Sequence, residues 1–275
     1  MSGIERVWAM YFSPTGTTER VVLTIAKRLA YELGLPLSLY DYTLPRMRVK
    51  PVRFGAGDLV VFGAPTYAGR IPNVLLKYLA TVTADGAAAI PVVLYGNRNY
   101  DDSLIEARDL LEANGFHTVA GAAFIGEHSF SRVLAAGRPD VKDLALAEKF
   151  AAAAAKKLRS CADLSALPPI QVRGEQPIRP YYQPRDRQGH PINILKVKPL
   201  TSDACIHCGI CAAVCPMGSI SPEDPRVYTG ICIKCGACEK KCPVGARYYA
   251  DAGYLYHKTE LELGYERRAE PELFL

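Results

Sequence analysis

Val7-Trp8-Ala9-Met10-Tyr11-Phe12-Ser13-Pro14-Thr15-Gly16-Thr17-Thr18 is the stretch whose reading decides the class of fold. Residues 7–12 form a short apolar run, the mark of a buried strand. Residues 18–33 place Val21, Val22, Ile25 and Leu29 at helical spacing. The loop between them is short and polar and contains one glycine. The same alternation continues outward. A weaker strand is expected over residues 37–40, and a clear one at Leu59-Val60-Val61-Phe62. Residues 72–78 begin with Pro72, which suits the first turn of a helix. Residues 90–95 make a further strand. Residues 103–113 make a helix, with Ser103 as N-cap and Glu106 completing a capping box, and Asn114-Gly115 ends it. A strand over 119–125 and an Ala-rich helix over 139–158 follow. Strands that alternate with helices imply an α/β fold: a doubly wound, parallel, five-stranded sheet covered on both faces.

The strand–helix loop Ser13-Pro14-Thr15-Gly16-Thr17-Thr18 offers N–H groups and hydroxyls to an anion, with a helix dipole behind them. It has no Lys, which excludes a nucleoside-triphosphate loop, and no GxGxxG pattern. A single phosphate monoester suits it. An ordinary polar turn reads the same locally, and two further loops decide between them. Gly63-Ala64-Pro65-Thr66-Tyr67-Ala68-Gly69-Arg70 and Gly96-Asn97-Arg98-Asn99-Tyr100-Asp101 follow later strands at their carboxyl ends, where such sheets bind ligands. Each carries a tyrosine, Tyr67 or Tyr100, suited to stacking on a flat ring.

Eight of the nine cysteines fall between Cys205 and Cys242; the ninth is Cys161. Cys205-x2-Cys208-x2-Cys211-x3-Cys215-Pro216 is repeated as Cys232-x2-Cys235-x2-Cys238-x3-Cys242-Pro243. Zinc sites use paired Cys-x2-Cys units with a long spacer and fit this badly. Thiolates are soft ligands, and three at x2 spacing grip three corners of a cubane on one loop. The fourth cysteine of each run serves the other cluster. One ligand set is therefore Cys205, Cys208, Cys211 and Cys242, and the other is Cys232, Cys235, Cys238 and Cys215. Isoleucines at 206, 210, 220, 231 and 233 supply apolar cover. Gly209 and Gly236 let backbone amides approach the sulfurs. Cys161 reads as a free structural thiol, and His207 as an exposed or tuning residue.

Hydrophobic residues make up 49% of 275, enough for a substantial core, and the formal charge of +5 is spread without long runs. No nucleic-acid partner is expected. No run of eighteen apolar residues and no targeting signal is visible, so a cytoplasmic protein without a membrane span is expected. A phosphate-accepting receiver domain is excluded, because Gly63-Ala64-Pro65 stands where its aspartate belongs. No nucleophile triad and no HExxH motif is present. Residues 167–199 hold seven prolines and no helical period. Tyr181, Tyr182, Ile192, Ile194 and Leu195 mark this segment as an ordered wrap rather than a tether.

Residues 200–250 resemble the bacterial two-cluster ferredoxins, and residues 4–160 resemble flavodoxin. Both modules in one chain resemble the flavodoxin–ferredoxin fusion family of anaerobic bacteria and archaea. Asn97-Arg98-Asn99-Tyr100-Asp101 and Arg179-Pro180-Tyr181-Tyr182-Gln183-Pro184-Arg185-Asp186 carry that likeness. The resemblance implies a flavodoxin-like domain at 1–165, a connecting segment at 166–199, a small α+β two-cluster domain at 200–255 and a tail at 256–275. It implies FMN, with its phosphate on Ser13, Thr15, Gly16, Thr17 and Thr18 and its ring held by Pro65 to Arg70 and Gly96 to Asp101. It also implies two 4Fe–4S clusters. The expected function is electron transfer between FMN, the clusters and an external redox partner. The alternative is an FMN-dependent reductase of a small organic acceptor, with a pocket near Tyr67, Tyr100 and His128. Flavodoxin loops are typically acidic, whereas Arg70 and Arg98 are basic and are expected to stabilise reduced flavin.

Overall fold

The computed structural model describes residues 3–161 and 163–275; Met1, Ser2 and Ala162 lie outside them, and with them the first two residues of the segment read for a targeting signal. Five parallel strands form the centre of the molecule: β1 (Arg6–Tyr11), β2 (Leu37–Asp41), β3 (Asp58–Pro65), β4 (Ala88–Tyr95) and β5 (Gly121–Ile125). Their order across the sheet is β2-β1-β3-β4-β5. That is the doubly wound order of the flavodoxin-like fold, with its crevice at the β1/β3 switch. Helices α1 (Thr17–Leu33) and α4 (Val141–Ser160) cover one face, where Val21, Val22 and Ile25 meet Ala147, Phe150 and Ala151. Helices α2 (Asn73–Leu79) and α3 (Ser103–Ala113) cover the other through Leu75, Leu79, Leu104 and Leu111. Helix α1 lies so close to the sheet that a Cβ on Gly63 would stand 2.3 Å from Val22 Cγ2.

Two helix starts show which local signal governs. Asp140 caps α4 by accepting from Lys142 and Asp143 N–H, and Asp143 returns the capping box. The box expected at Ser103 and Glu106 is absent. Asp102 precedes α3 without a side-chain cap, because its carboxylate is drawn to Arg179. Glu106 is likewise drawn away, to Arg70 and the Ile71 N–H. Tertiary charges outbid local capping at both residues.

Among the described residues the sheet has seven strands rather than five. His117–Thr118 pairs with the start of β4, and the C-terminal β6 (Glu272–Phe274) adds antiparallel to β5. Before β6, α5 (Ala252–Gly264) is capped by Asp251, which accepts from Tyr254 N–H. The returning chain is fixed by buried groups. Asn97 Nδ2 donates to the Tyr265 and Arg267 carbonyls at 2.7 Å, and Arg138 Nη1 donates to the Ala269 carbonyl at 2.6 Å.

Between α4 and the cysteine-rich region, residues 163–199 run across the surface of the larger domain. Glu175 N–H and Arg179 N–H both donate to the buried Asp102 carboxylate. Tyr181 OH donates to Ile71 O at 2.7 Å, and Tyr182 N–H to Ala68 O at 2.8 Å. Arg187 pairs with Glu260 at 2.9 Å. Ile194 is buried with Tyr249 and Tyr254, whereas Leu195 stays exposed. The cysteine-rich region itself contains two single helical turns, Ile210–Ala213 and Ala237–Lys240, and a short antiparallel pair, Leu200–Thr201 with Arg247–Tyr248.

Candidate functional site

The loop after β1 leaves donors uncommitted. Gly16 N–H donates to Ser13 O, and Glu19 N–H donates to Ser13 Oγ at 2.9 Å. The Thr15, Thr17 and Thr18 N–H groups have no hydrogen-bond partner within the described chain, and these three threonines line a cavity of about 450 Å3 with Pro14. Free N–H groups at the start of the seventeen-residue α1 offer donors that suit an anion. The cavity runs on past Pro65, Thr66, Tyr67, Tyr95 and Gly96 to Gly126, His128 and Cys235. It adjoins a second space of about 790 Å3, which shares Thr66, Tyr67, His128 and Ser129. Arg98, Phe130, Tyr182, Ile233, Lys234 and His257 line that outer space.

A tight turn presents Tyr67. Tyr67 N–H donates to Arg70 O and Arg70 N–H to Tyr67 O, with Ala68 and Gly69 at φ of 51° and 79° between them. A Cβ on Gly69 would come within 2.5 Å of the Asp101 carboxylate, so only glycine suits this turn. The same turn sends Arg70 away from the cavity. Its guanidinium grips Glu106 Oε2 at 2.7 Å and stacks over Tyr181. Arg70 is therefore not placed to act on a ring in the cavity. Arg98 does line the outer space, but it pairs with Asp101 and lies over Tyr182.

Other expected contact residues are also structural. Tyr100 is fully buried, packed on Tyr95, with its OH donating to Glu272 Oε2 at 2.7 Å. It faces β6 rather than the cavity, because the C-terminal strand supplies a carboxylate for its hydroxyl. Asn97 holds the returning tail, and Asn99 Oδ1 accepts from Asp101 N–H at 2.9 Å. Ser13 is turned inward; its N–H donates to Thr43 Oγ1 at 2.8 Å. From the expected set, Thr15, Thr17, Thr18, Pro65, Thr66, Tyr67, Ala68, Gly96 and Arg98 line the two spaces. Gly16 and Gly69 shape the loops that do so.

The eight cysteines of the two runs line two further cavities. One, of about 340 Å3, is lined by Cys205, Cys208, Cys211 and Cys242. The other, of about 350 Å3, is lined by Cys215, Cys232, Cys235 and Cys238. The fourth cysteine of each run thus faces the other run's cavity. Among the described residues, no three His, Cys, Asp or Glu converge closely enough for a single metal ion. Each quartet surrounds a space instead, which suits a cage of iron and sulfide. Non-glycine left-handed residues, His207 at φ 52° and Lys234 at φ 54°, curl each loop round its cavity. Cys208 is exposed and Cys235 is buried. The Cys161 thiol, at the end of α4, lies 3.1 Å from Asp163 O.

The cysteine-rich module is docked beside the outer space. Lys240 Nζ donates to Glu127 Oε1, His128 O and Ser131 O at 2.6, 2.7 and 2.9 Å. A Cβ on Gly236 would lie 2.4 Å from Ser129 O, so the two backbones meet directly there. Arg48 Nη2 donates to Pro216 O at 2.5 Å. These docking residues and His257 carry no local motif. They belong to the site only because the chain folds back.

Burial lowers the His128 pKa to about 3, with Lys240, His257 and Arg98 adding to the effect. Nδ1 accepts from Phe130 N–H at 3.1 Å. The unfolded chain takes up a proton as pH falls through about 6.5, whereas the folded chain does not. Stability from the neutral ring is therefore complete above that pH and is lost as pH falls toward 3, by at most about 1.4 kcal/mol per pH unit. His128→Asn keeps an acceptor for Phe130 and is expected to flatten the acid side of the stability profile. Denaturant midpoints with the same acid slope in both proteins would contradict this.

Residues 204–246 match the family model of the 4Fe-4S dicluster domain. No curated protein matches the chain. A flavodoxin from the domain Archaea is 12% identical with a TM-score of 0.40, over 56% of this chain and 99% of that one. A flavodoxin of Streptococcus pneumonia TIGR4 is 18% identical with a TM-score of 0.36, over 56% and 99%. An NADH:FMN oxidoreductase in apo form is 15% identical with a TM-score of 0.41, over 57% and 92%. The strand order of the sheet defines a flavodoxin-like domain, and the family model places a 4Fe–4S dicluster domain after it. That build fits a flavodoxin–ferredoxin fusion. No helix among the described residues is long and apolar enough to cross a membrane.

Proposed function

We propose that this protein carries electrons between FMN and two 4Fe–4S clusters, and between these and an external redox partner. One observation carries the reading: Cys235 lines both a cluster cage and the cavity that begins at Thr15, Thr17 and Thr18. FMN fits that cavity, with free N–H groups for a phosphate monoester and Tyr67 for the ring. Bound there, FMN would exchange electrons singly or in pairs, and each cluster singly. The residues give the path an order. The cage of Cys215, Cys232, Cys235 and Cys238 adjoins the flavin cavity. The cage of Cys205, Cys208, Cys211 and Cys242 lies beyond it, with Cys208 at the surface. Tyr67 and His128 border the flavin side, and Lys240 keeps the two modules in contact. Flavin released by denaturation should have the mass of FMN, and anaerobic protein should hold about eight iron and eight sulfide. Release of FAD, or zinc without sulfide, would overturn the proposal.

A second reading has its own support. His257 is buried and lines the outer space, where burial holds its pKa below the ordinary imidazole value. A neutral proton-carrying group there suits reduction of a small organic acceptor. Turnover of conjugated acceptors that drops in His257→Phe would favour a reductase. Turnover indifferent to that change would leave the carrier.

A further inference from the structure

The two cysteine runs are sequence repeats, and the fold preserves their equivalence. His207 and Lys234 share a left-handed backbone, and Gly209 and Gly236 share a φ of 75°. Ser219 N–H points at Cys215 Sγ at 3.4 Å, and its counterpart Ala246 N–H points at Cys242 Sγ at 3.2 Å. One interior pair breaks the match in charge. Ile220 follows Cys215 at the place where Arg247 follows Cys242. Ile220 is 4% exposed and lines the cage of Cys215, Cys232, Cys235 and Cys238. Arg247 is 3% exposed and lines the other cage.

A buried guanidinium needs a counter-charge, and this one has no carboxylate within ion-pair distance among the described residues. Nη1 donates to Pro225 O at 2.6 Å and to Thr201 Oγ1; Nη2 donates to Tyr228 OH. Nε is buried without a partner. Tyr228 lines the opposite cage, so the guanidinium stands between the two. Cys238 of one quartet and Cys211 of the other lie close enough to act on its charge. An isolated cation in such a place is strongly unfavourable. The residues therefore fit a pair of anionic clusters, whose thiolates supply the missing charge.

We propose that Arg247 is the shared counter-ion of the two clusters and raises the reduction potential of both. Each added electron increases negative charge beside a fixed cation in a poorly screened interior, and this favours the reduced form. The inference rests on the two-cluster reading, which iron and sulfide counts test separately. Anaerobic redox titration followed by electron paramagnetic resonance is the experiment, on native protein, Arg247→Gln and Arg247→Lys. With iron content unchanged, Arg247→Gln should shift both midpoint potentials downward, and Arg247→Lys should stay near native. Unchanged or raised potentials in Arg247→Gln overturn the proposal. So does a shift in Arg247→Lys as large as in Arg247→Gln, because hydrogen-bond geometry rather than charge would then govern. If Arg247→Gln loses its clusters, Arg247→Lys decides alone: near-native potentials support the counter-ion, and a downward shift refutes it. Absence of iron and sulfide from the native protein would instead remove the reading beneath it.

Discussion

Cys215→Ser is expected to remove the cluster beside the flavin cavity and to leave the distant one in place. Cys215 belongs by sequence to the run of Cys205, Cys208 and Cys211, but its side chain lines the cage of Cys232, Cys235 and Cys238. Serine is a harder and poorer ligand than thiolate. Iron should fall by about half, to roughly four per chain. The surviving cluster would be that of Cys205, Cys208, Cys211 and Cys242. It could no longer relay to the cavity at Tyr67, so flavin reduction through the clusters should nearly cease. Cys242→Ser should do the reverse and leave flavin-to-near-cluster transfer intact. Iron analysis and transfer after rapid photoreduction check both. Loss of the far cluster in Cys215→Ser would show that the runs do not exchange their fourth ligands. Cys161→Ser, remote from both cages, is the control and should keep all its iron.

Lys240→Met should have the second large effect, on docking. The Lys240 side chain is 11% exposed and satisfies three acceptors on the segment after β5. Methionine fills much of the same volume but leaves Glu127 and two carbonyls without their donor. Breaking a largely buried pair of this kind costs about 3 kcal/mol. That loss should appear as lower stability and as faster proteolysis between Arg173 and Arg187. The functional consequence is separable. In the native protein, residues pinned by Gly236, Lys240 and Arg48 hold the near cage against the flavin cavity. Flavin-to-cluster transfer should then be independent of solvent viscosity. In Lys240→Met it should become slower and viscosity-dependent. Native transfer that slows in proportion to viscosity would refute fixed docking.

Arg70 shows why site residues are harder to read than folds. It stands in the expected loop, next to Gly69, and its charge points to a role near a ring. Its direction is set instead by Glu106, a buried carboxylate on α3 that needs a cation. Tyr100 is drawn inward by Glu272 in the same way, and Asn97 by the carbonyls of Tyr265 and Arg267. All three partners lie elsewhere in the chain, two of them in the tail. His257 joins the outer space from α5 and Tyr182 from the connecting segment, both far from the loops after β3 and β4.

Short-range pattern was sufficient for the five parallel strands, helices α1 to α4 and the cysteine quartets, but not for α5 or the two added strands. Alternating apolar runs dictate the parallel α/β layers because backbone groups and apolar faces must be satisfied locally. Cys-x2-Cys-x2-Cys dictates a cage because three thiols on one tight loop cannot avoid facing one another. The exchange of fourth cysteines also follows from the motif, because the cysteine before each proline serves the other cluster. Tertiary structure alone decided which cage meets the flavin cavity, that Glu272–Phe274 extends the sheet, and that Arg247 lies unpaired between the cages. Each of these depends on contacts between segments far apart in the chain. Such contacts are set by the total burial and pairing of charge, which no local spacing encodes.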